Sequence, residues 1–278
     1  MEVVHKMQNY SSTPREIAAT IWRNKNLIIN LINREVVGRY RGSVLGILWS
    51  FFHPVLMLAV YTFVFSVVFK AKWSGGGESK TEFALVLFAG LLIFTLFAEC
   101  IGKAPGLVVG NANYVKKVVF PLEILPIVAF GSSCFHALVS FFVWLIFYCI
   151  FIGIPHWTIV YFPIVFAPLA LITLGISWFL ASLGVYLRDV VQITGLLTSV
   201  LMFMTPIFYP ISALPKRFQT ILYFNPLSSV VEQARNVLMW GRPPQWSVIG
   251  VLAFAGCLLA WLGFAWFQKT RKGFADVL

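Results

Sequence analysis

The chain has 278 residues, of which 59% are apolar, 17% aromatic and only 11% charged, whereas soluble domains have about 45–50% apolar and about 25% charged residues. A water-soluble fold of this length could not bury so much apolar surface. The composition therefore excludes a soluble protein and indicates an all-α integral membrane protein. A formal charge of +11 can indicate nucleic acid as a partner, but the positions of the basic residues offer another explanation.

Six apolar runs are long enough to cross a bilayer, which takes about 20 helical residues for about 30 Å of hydrocarbon. They are residues 44–69, 83–101, 124–154, 157–187, 190–208 and 246–267. Six spans place both termini on one side. Fourteen of the 21 Lys and Arg residues then lie on that side, which identifies it as the cytoplasm. The basic excess is explained as a topology signal, and nucleic acid is excluded as a partner.

The four cysteines predict neither a disulfide nor a metal site. They are Cys100, Cys134, Cys149 and Cys257, and all lie in apolar runs without a Cys-x-x-Cys pair or a His-rich neighbourhood. They are interpreted as small packing residues. The first sixteen residues are polar, so no cleavable signal peptide is expected and the first span directs insertion.

Residues 14–33 precede the first span and predict an amphipathic helix in the cytoplasmic headgroup layer. At 100° per residue, one face carries the apolar residues, with Asn24 as the exception. The apolar residues are Ile17, Ile21, Leu27, Ile28, Leu31 and Ile32. Two interpretations of this helix remain open: a simple membrane-surface anchor, or a docking site for a cytoplasmic partner on its polar face.

Three shorter polar features follow. Residues 106–121 are longer than a helical hairpin needs, and they predict a short helix lying flat on the cytoplasmic face. Asp189, in the turn after the fourth span, is placed to cap the fifth. Glu99 lies near the inner end of the second span, and we expect it to pair with Lys103 one turn away, in preference to a role as a proton relay.

Residues 211–243 are too polar to span and too apolar for a free loop. Two short helices separated by Asn225 and Pro226 fit this composition, with Glu232 and Arg235 one turn apart on the second helix. Such an outer hairpin can re-enter the membrane only if protein covers its backbone.

One stretch resembles a nucleotide-binding motif without matching it. Residues 74–81, SGGGESKT, approach the pattern G-x-x-x-x-G-K-[ST], but Ser74 and Ser79 replace both glycines and no strand is predicted before them. The chain is therefore not expected to hydrolyse ATP.

Four stretches together resemble the permease subunit of bacterial ABC exporters of polysaccharides. They are REVVGRYRGSVLGILWSFFHPVL (34–56), NANYVKKVVFPLEILP (111–126), LRDVVQI (187–193), and TPIFYP with FNPLS (205–210 and 224–228). The resemblance covers nearly the whole chain in the right order. It implies a homodimer in the bacterial inner membrane, paired with two ATPase subunits that bind ATP and magnesium. Its substrate would be a lipid-linked polysaccharide, with O-antigen as the first expectation and capsule or teichoic acid as alternatives.

The resemblance also implies roles for particular residues. Residues 14–33 and a coupling helix at 106–121 would contact the ATPase, the coupling residues being Asn111, Asn113, Tyr114, Lys116 and Lys117, with Arg188 and Asp189 as a smaller contact. Residues 211–243 would be re-entrant helices that close the outer mouth. The first and fifth spans would line the conduit through Trp49, Phe52, Leu56, Phe63, Met202, Thr205, Phe208 and Tyr209, although aromatic residues in spans also commonly face lipid.

A lipid-linked polysaccharide carries a diphosphate, for which Arg34, Arg39 and Arg41 at the inner mouth are the candidate docking cations. Other function classes fit less well. A membrane enzyme would need acidic or His clusters, but the chain has only ten acidic residues. An ion-coupled transporter would need several charges within the membrane, and Glu99 alone is weak support. Within the exporter hypothesis, a drug or a small lipid is the alternative substrate.

Overall fold

The computed structural model describes residues 12–64, 80–116 and 120–278, and within these ranges the chain forms helices, turns and irregular segments without a β-strand. The predicted all-α architecture is confirmed. The helices are α1 (Pro14–Arg23), α2 (Lys25–Tyr40), α3 (Trp49–Tyr61), α4 (Lys80–Lys103), α5 (Ala112–Lys116), α6 (Leu125–Phe151), α7 (Phe162–Tyr186), α8 (Val190–Met204), α9 (Lys216–Phe224), α10 (Pro226–Leu238), α11 (Trp246–Thr270) and α12 (Phe274–Val277).

Among the residues that the structure describes, five helical segments are long and apolar enough to cross a membrane. They are Gly46–Val64, Thr81–Gly106, Leu122–Phe151, Trp157–Tyr186 and Trp246–Val277. The remaining predicted span corresponds to α8, which has 15 residues and is therefore about 22 Å long at 1.5 Å per residue. That is shorter than the hydrocarbon core, so a total of six spans stays a prediction. Residues 65–69 of the first predicted span lie outside the described residues.

Helix α4 lies at the centre of the bundle. All its residues from Phe83 to Phe94 are buried, because α3, α6, α7, α8 and α10 all pack against it. The indole N–H of Trp144 on α6 donates to the carbonyl of Leu85 at 3.1 Å. A helix that is apolar on all sides is typical of a fully enclosed position.

Helices α7 and α11 pack backbone against backbone because glycines lie at their contact. A Cβ added to Gly263 would lie 2.0 Å from the carbonyl oxygen of Gly175, and one added to Gly175 would lie 2.5 Å from that of Leu259. Small residues let membrane helices approach this closely. The pair therefore forms a rigid unit on one side of α4.

We expect Gly263→Ala to destabilise the protein by about 3 kcal/mol, since the new methyl group overlaps a backbone that cannot move aside. Gly250→Ala is the matched control on the same helix, where a Cβ meets nothing within 4 Å, and it should be neutral or slightly stabilising. Thermal unfolding in detergent measures both, and equal midpoints would contradict the packing described.

The N-terminal segment forms two helices instead of the single one predicted at 14–33. The break falls at Asn24, whose backbone leaves the helical region and whose side-chain amide donates to the carbonyl of Thr20 at 2.9 Å. Asn competes for backbone hydrogen bonds in this way. Part of the predicted lipid-facing surface also packs on protein, because Ile28 and Leu31 lie against Ile124 and Val128 at the start of α6.

Different short helices lie at the two ends of the bundle. The α2 end carries α1, α2, α5, α12 and the turn between α7 and α8. The hairpin end carries α9 and α10, which lie where the sequence predicts two short helices separated by Asn225 and Pro226.

Candidate functional site

Helix α2 and helix α5 are joined directly at the α2 end. Arg34 Nη2 donates to Tyr114 Oη at 3.0 Å, and the Tyr114 ring stacks on Phe120 with centroids 4.3 Å apart. The sequence predicts that Arg34 binds a lipid diphosphate and that Tyr114 contacts the ATPase. The structure instead brings both residues into one contact.

A chain of ion pairs connects α2 to α4. Arg39 lies 2.6 Å from Glu99, Lys103 lies 3.0 Å from Glu99, and Lys103 also lies 2.9 Å from Glu35. The predicted pairing of Glu99 with Lys103 is therefore present, but two residues of α2 extend it. These side chains are a fifth to a half exposed, so the pairs fix the position of α2 more than they stabilise the fold.

The other predicted coupling residues lie at the same end. Asn113 and Lys116 are exposed on α5, and Arg188 and Asp189 are exposed in the turn before α8. The amide of Asn111 donates to the carbonyl of Leu107 at 2.8 Å, which holds the turn before α5. Lys117 lies outside the described residues.

The segment that leads from α5 into α6 is tied to the end of α11. Arg271 pairs with Glu123 at 2.5 Å and donates to the carbonyl of Phe120 at 2.8 Å, with little of either charged side chain exposed. The indole of Trp178 donates to the backbone carbonyl of Glu123 at 2.9 Å, and Lys116 bonds the carbonyl of Leu278. Sequence reasoning missed this pair, although an acidic residue inside FPLEILP was an available signal in so apolar a chain.

At the hairpin end, Asn225 organises the entry into α10. Its side-chain oxygen accepts from the backbone N–H of Leu227 at 3.0 Å, and its amide donates to Thr205 Oγ1 at 3.1 Å. Thr205 is fully buried, so its side chain does not reach the surface of this chain, where a conduit would lie. The turn after α8 is thereby fastened to the hairpin.

Some of the other candidates for the conduit are exposed, and others are half-buried against the core. Phe52 and Leu56 are exposed on one face of α3, and Phe63, just beyond the end of α3, is exposed as well. Met202 and Phe208 pack half-buried against the core around α4, and the hydroxyl of Tyr209 donates to the carbonyl of Phe203 at 2.7 Å. Helix α8 exposes a second apolar face through Leu196, Val200 and Phe203.

Arg235 on α10 is fully buried and bonds three backbone carbonyls. Its Nε donates to Val86 of α4 at 3.1 Å, Nη1 to Pro206 at 2.6 Å and Nη2 to Ile207 at 2.8 Å. Gly90 leaves the space, because a Cβ there would lie 2.8 Å from Nη2. A buried guanidinium needs such acceptors. Sequence reasoning placed Arg235 on the hairpin but did not foresee that it fastens the hairpin to α4.

A cavity of about 400 Å³ lies between α3, α4 and α6, beside the end of α2. Its polar lining includes Arg39, Tyr40, Trp49, His53, Glu99 and His136. Within the described ranges no group of three or more His, Cys, Asp or Glu residues could hold a metal ion. Trp49, a candidate for the conduit, lines this cavity and is also partly exposed. It lies at the border between the cavity and the exposed face of α3.

Most of the chain is similar in sequence to known proteins. A family model described as ABC-2 type transporter matches residues 26–239. The O-antigen export system permease protein RfbA of Myxococcus xanthus is 28% identical over 92% of this chain and 96% of the relative. A protein of the same name from Klebsiella pneumoniae is 27% identical over 91% and 95%. The polysialic acid transport protein KpsM of Escherichia coli is 22% identical over 87% and 92%.

Proposed function

The chain belongs to the ABC-2 type transporter family, and from this premise we propose that it is the membrane-spanning subunit of an ATP-driven exporter of a lipid-linked polysaccharide. The names of its relatives support O-antigen as the substrate. The relative named for polysialic acid transport makes another polysaccharide the alternative. In this proposal the α2 end faces the cytoplasm of a bacterium, the spans cross the inner membrane, and separate ATPase subunits bind ATP and magnesium.

The observation that carries the proposal is the bond between Arg34 and Tyr114. It joins the surface helix α2 to the short helix α5, so that the two segments expected to meet an ATPase form one surface. Helix α12 contacts both α5 and α7, which extends this surface to the turn at Arg188. We call the exposed residues Asn113, Lys116, Arg188 and Asp189 the docking surface.

Polar contacts at both ends of α4, together with the helix between them, connect this docking surface to the hairpin end. A displacement of α5 is passed to α2 through Tyr114 and Arg34. Helix α2 passes it to α4 through the ion pairs of Glu99 and Lys103. Helix α4 is bonded to α10 through Arg235. Closure of the ATPase subunits can thus move the hairpin that closes the outer mouth.

Two copies of the chain would form the conduit between the exposed faces of α3 and α8. Phe52 and Phe63 present aromatic rings there, and such rings stack on flat sugar faces without requiring one register, as aromatic platforms do for successive bases. A polymer held weakly at many positions can slide. This suits a substrate of variable length.

The docking surface is tested by Lys116→Glu, because reversing this exposed charge should weaken ATPase binding. The substitution also removes the bond from Lys116 to the carbonyl of Leu278, so thermal unfolding of the variant is measured alongside. Arg242→Glu is the matched control, an exposed charge reversal at the hairpin end. We expect the ATPase subunit that copurifies with the tagged chain to fall severalfold for Lys116→Glu only. Equal recovery from both variants would contradict the assignment.

Among the three predicted docking cations, Arg41 is the one retained for the lipid diphosphate, because Arg34 and Arg39 bond residues of this chain. Arg41→Ala should reduce export and leave ATPase copurification unchanged. Arg23→Ala removes another exposed cation at the same end and should leave export near its normal level. Undiminished export by Arg41→Ala would remove this role.

A further inference from the structure

Helix α5 is too short to hold its own position. It has five residues, Ala112–Lys116, and none of them is buried, whereas isolated helices shorter than about 12 residues are marginal in water. Its position is therefore set by contacts with other parts of the chain. One such contact is the bond from Arg34 to Tyr114, and further contacts come from residues 271–278, which follow α11.

Residues 271–278 are anchored by the side chain of Phe274. Its ring is fully buried, and its centroid lies 5.4 Å from that of Phe267 on α11 and 6.0 Å from that of Tyr186 on α7. Gly273 allows this close approach, because a Cβ there would lie 2.7 Å from the Tyr186 hydroxyl oxygen. Since burial of an aromatic ring favours the packed position, the segment is held on the ends of α7 and α11.

The apolar cluster that contains Phe274 also holds α5. Tyr114 and Val115 of α5 are half-buried and pack against this cluster, as Leu278 does. Lys116, at the end of α5, donates to the backbone carbonyl of Leu278. Helix α12 therefore contacts both α5 and α7.

The docking surface consists of two parts that are far apart along the chain. Asn113 and Lys116 lie on α5, whereas Arg188 and Asp189 lie in the turn just after α7. A partner that contacts both parts binds more tightly when their relative position is already set, because less conformational freedom is lost on binding. Helix α12 packs against the two helices that carry or precede these parts.

We propose that residues 271–278 are a clamp that fixes α5 relative to the turn at residues 187–189 and so presents the docking surface to the ATPase subunit in one arrangement. Phe274 is the positioning residue, since its buried ring anchors the clamp and does not reach the partner. The identity of the partner rests on the proposed function, whereas the clamp itself is a property of this chain alone.

The clamp is tested by Phe274→Ala in the purified full chain. Loss of the ring should release residues 271–278, so the amide hydrogens of residues 112–116 should exchange about tenfold faster, a change of 1.4 kcal/mol in the free energy of local opening. The amount of ATPase subunit that copurifies should fall severalfold. Phe274→Leu keeps most of the apolar contact and should restore both measurements to near the wild-type level.

Phe94→Ala is the matched control, because Phe94 is also buried but lies in the core around α4. It should lower the thermal unfolding midpoint and leave the exchange of residues 112–116 and the recovery of the ATPase subunit near the wild-type level, since local opening does not follow global stability. Exchange at residues 112–116 that is equal in Phe274→Ala and Phe94→Ala would overturn the proposal. Equal recovery of the ATPase subunit from the two variants would also overturn it.

If Phe274→Ala does not fold, hydrogen exchange of the wild-type chain in increasing urea decides. Residues 112–116 and 274–278 should open together as one cooperative unit, and separate opening of the two segments would overturn the clamp. A wild-type chain that recovers no ATPase subunit would instead contradict the proposed function. The exchange measurement needs no partner, so the two failures are distinguishable.

Discussion

Replacing Arg235 by Met is expected to lower the free energy of unfolding by about 4 kcal/mol and to abolish export. The guanidinium is fully buried, and it satisfies the carbonyls of Val86, Pro206 and Ile207. Methionine has a similar length but no donor, so three carbonyls lose a partner where water cannot replace it. The hairpin would also lose its bond to α4, which is the last step of the proposed path from the ATPase to the outer mouth.

Arg242→Met is the control for this substitution, because Arg242 is exposed and lies just beyond the same helix. Its stability should change by less than about 0.5 kcal/mol. Arg235→Lys keeps the charge but cannot span all three carbonyls, so it should fall between the two Met variants. Thermal unfolding in detergent and export in cells provide the measurements. A stable and active Arg235→Met protein would show that the guanidinium does not hold the hairpin.

Glu123→Ala is the second change with a large expected effect. Its carboxylate is the partner of Arg271, and the side chains are only 6% and 12% exposed. Removing one member of a buried pair leaves the other charge uncompensated, which costs about 3–5 kcal/mol. We expect a loss of stability in this range and a loosened segment between α5 and α6, which hydrogen exchange of residues 120–124 would detect as faster exchange.

The more exposed ion pair between Arg23 and Glu16 offers a matched comparison. Arg23 lies 3.1 Å from Glu16, with side chains 61% and 27% exposed, and such pairs contribute about 0–1 kcal/mol. Glu16→Ala should therefore change the unfolding midpoint little. If both alanine variants lose the same stability, burial does not increase the contribution of the pair of Glu123 and Arg271 to the free energy of unfolding.

Much of the architecture follows from the sequence alone, because apolar length and basic flanks directly express what a bilayer requires. The pair of helices at the hairpin is an example, since Asn225 and Pro226 carry a local signal for a break and a cap. The pairing of Glu99 with Lys103 is another, because residues four apart on a helix are neighbours. Such features depend on short stretches of chain.

The contacts that could not be predicted from the sequence join residues that are far apart along the chain. Arg235 bonds Val86, which is 149 positions away, and Arg271 bonds Glu123, which is 148 positions away. No local sequence pattern could therefore predict either partner. Arg34 looked like a cation for lipid because its partner, Tyr114, is 80 positions away. In a chain with so few charges, each one was informative, but only the fold reveals what each one binds.

The most direct test of the account is export measured in proteoliposomes that contain this chain and its ATPase subunit. Lipid-linked O-antigen is supplied on the side of the α2 end, and its appearance on the opposite side is quantified with ATP and with a non-hydrolysable analogue. The account predicts transfer that requires both subunits and ATP hydrolysis, and that is lost in Arg235→Met and in Lys116→Glu. Transfer without the ATPase subunit, or none of the polysaccharide with both subunits and ATP present, would contradict it.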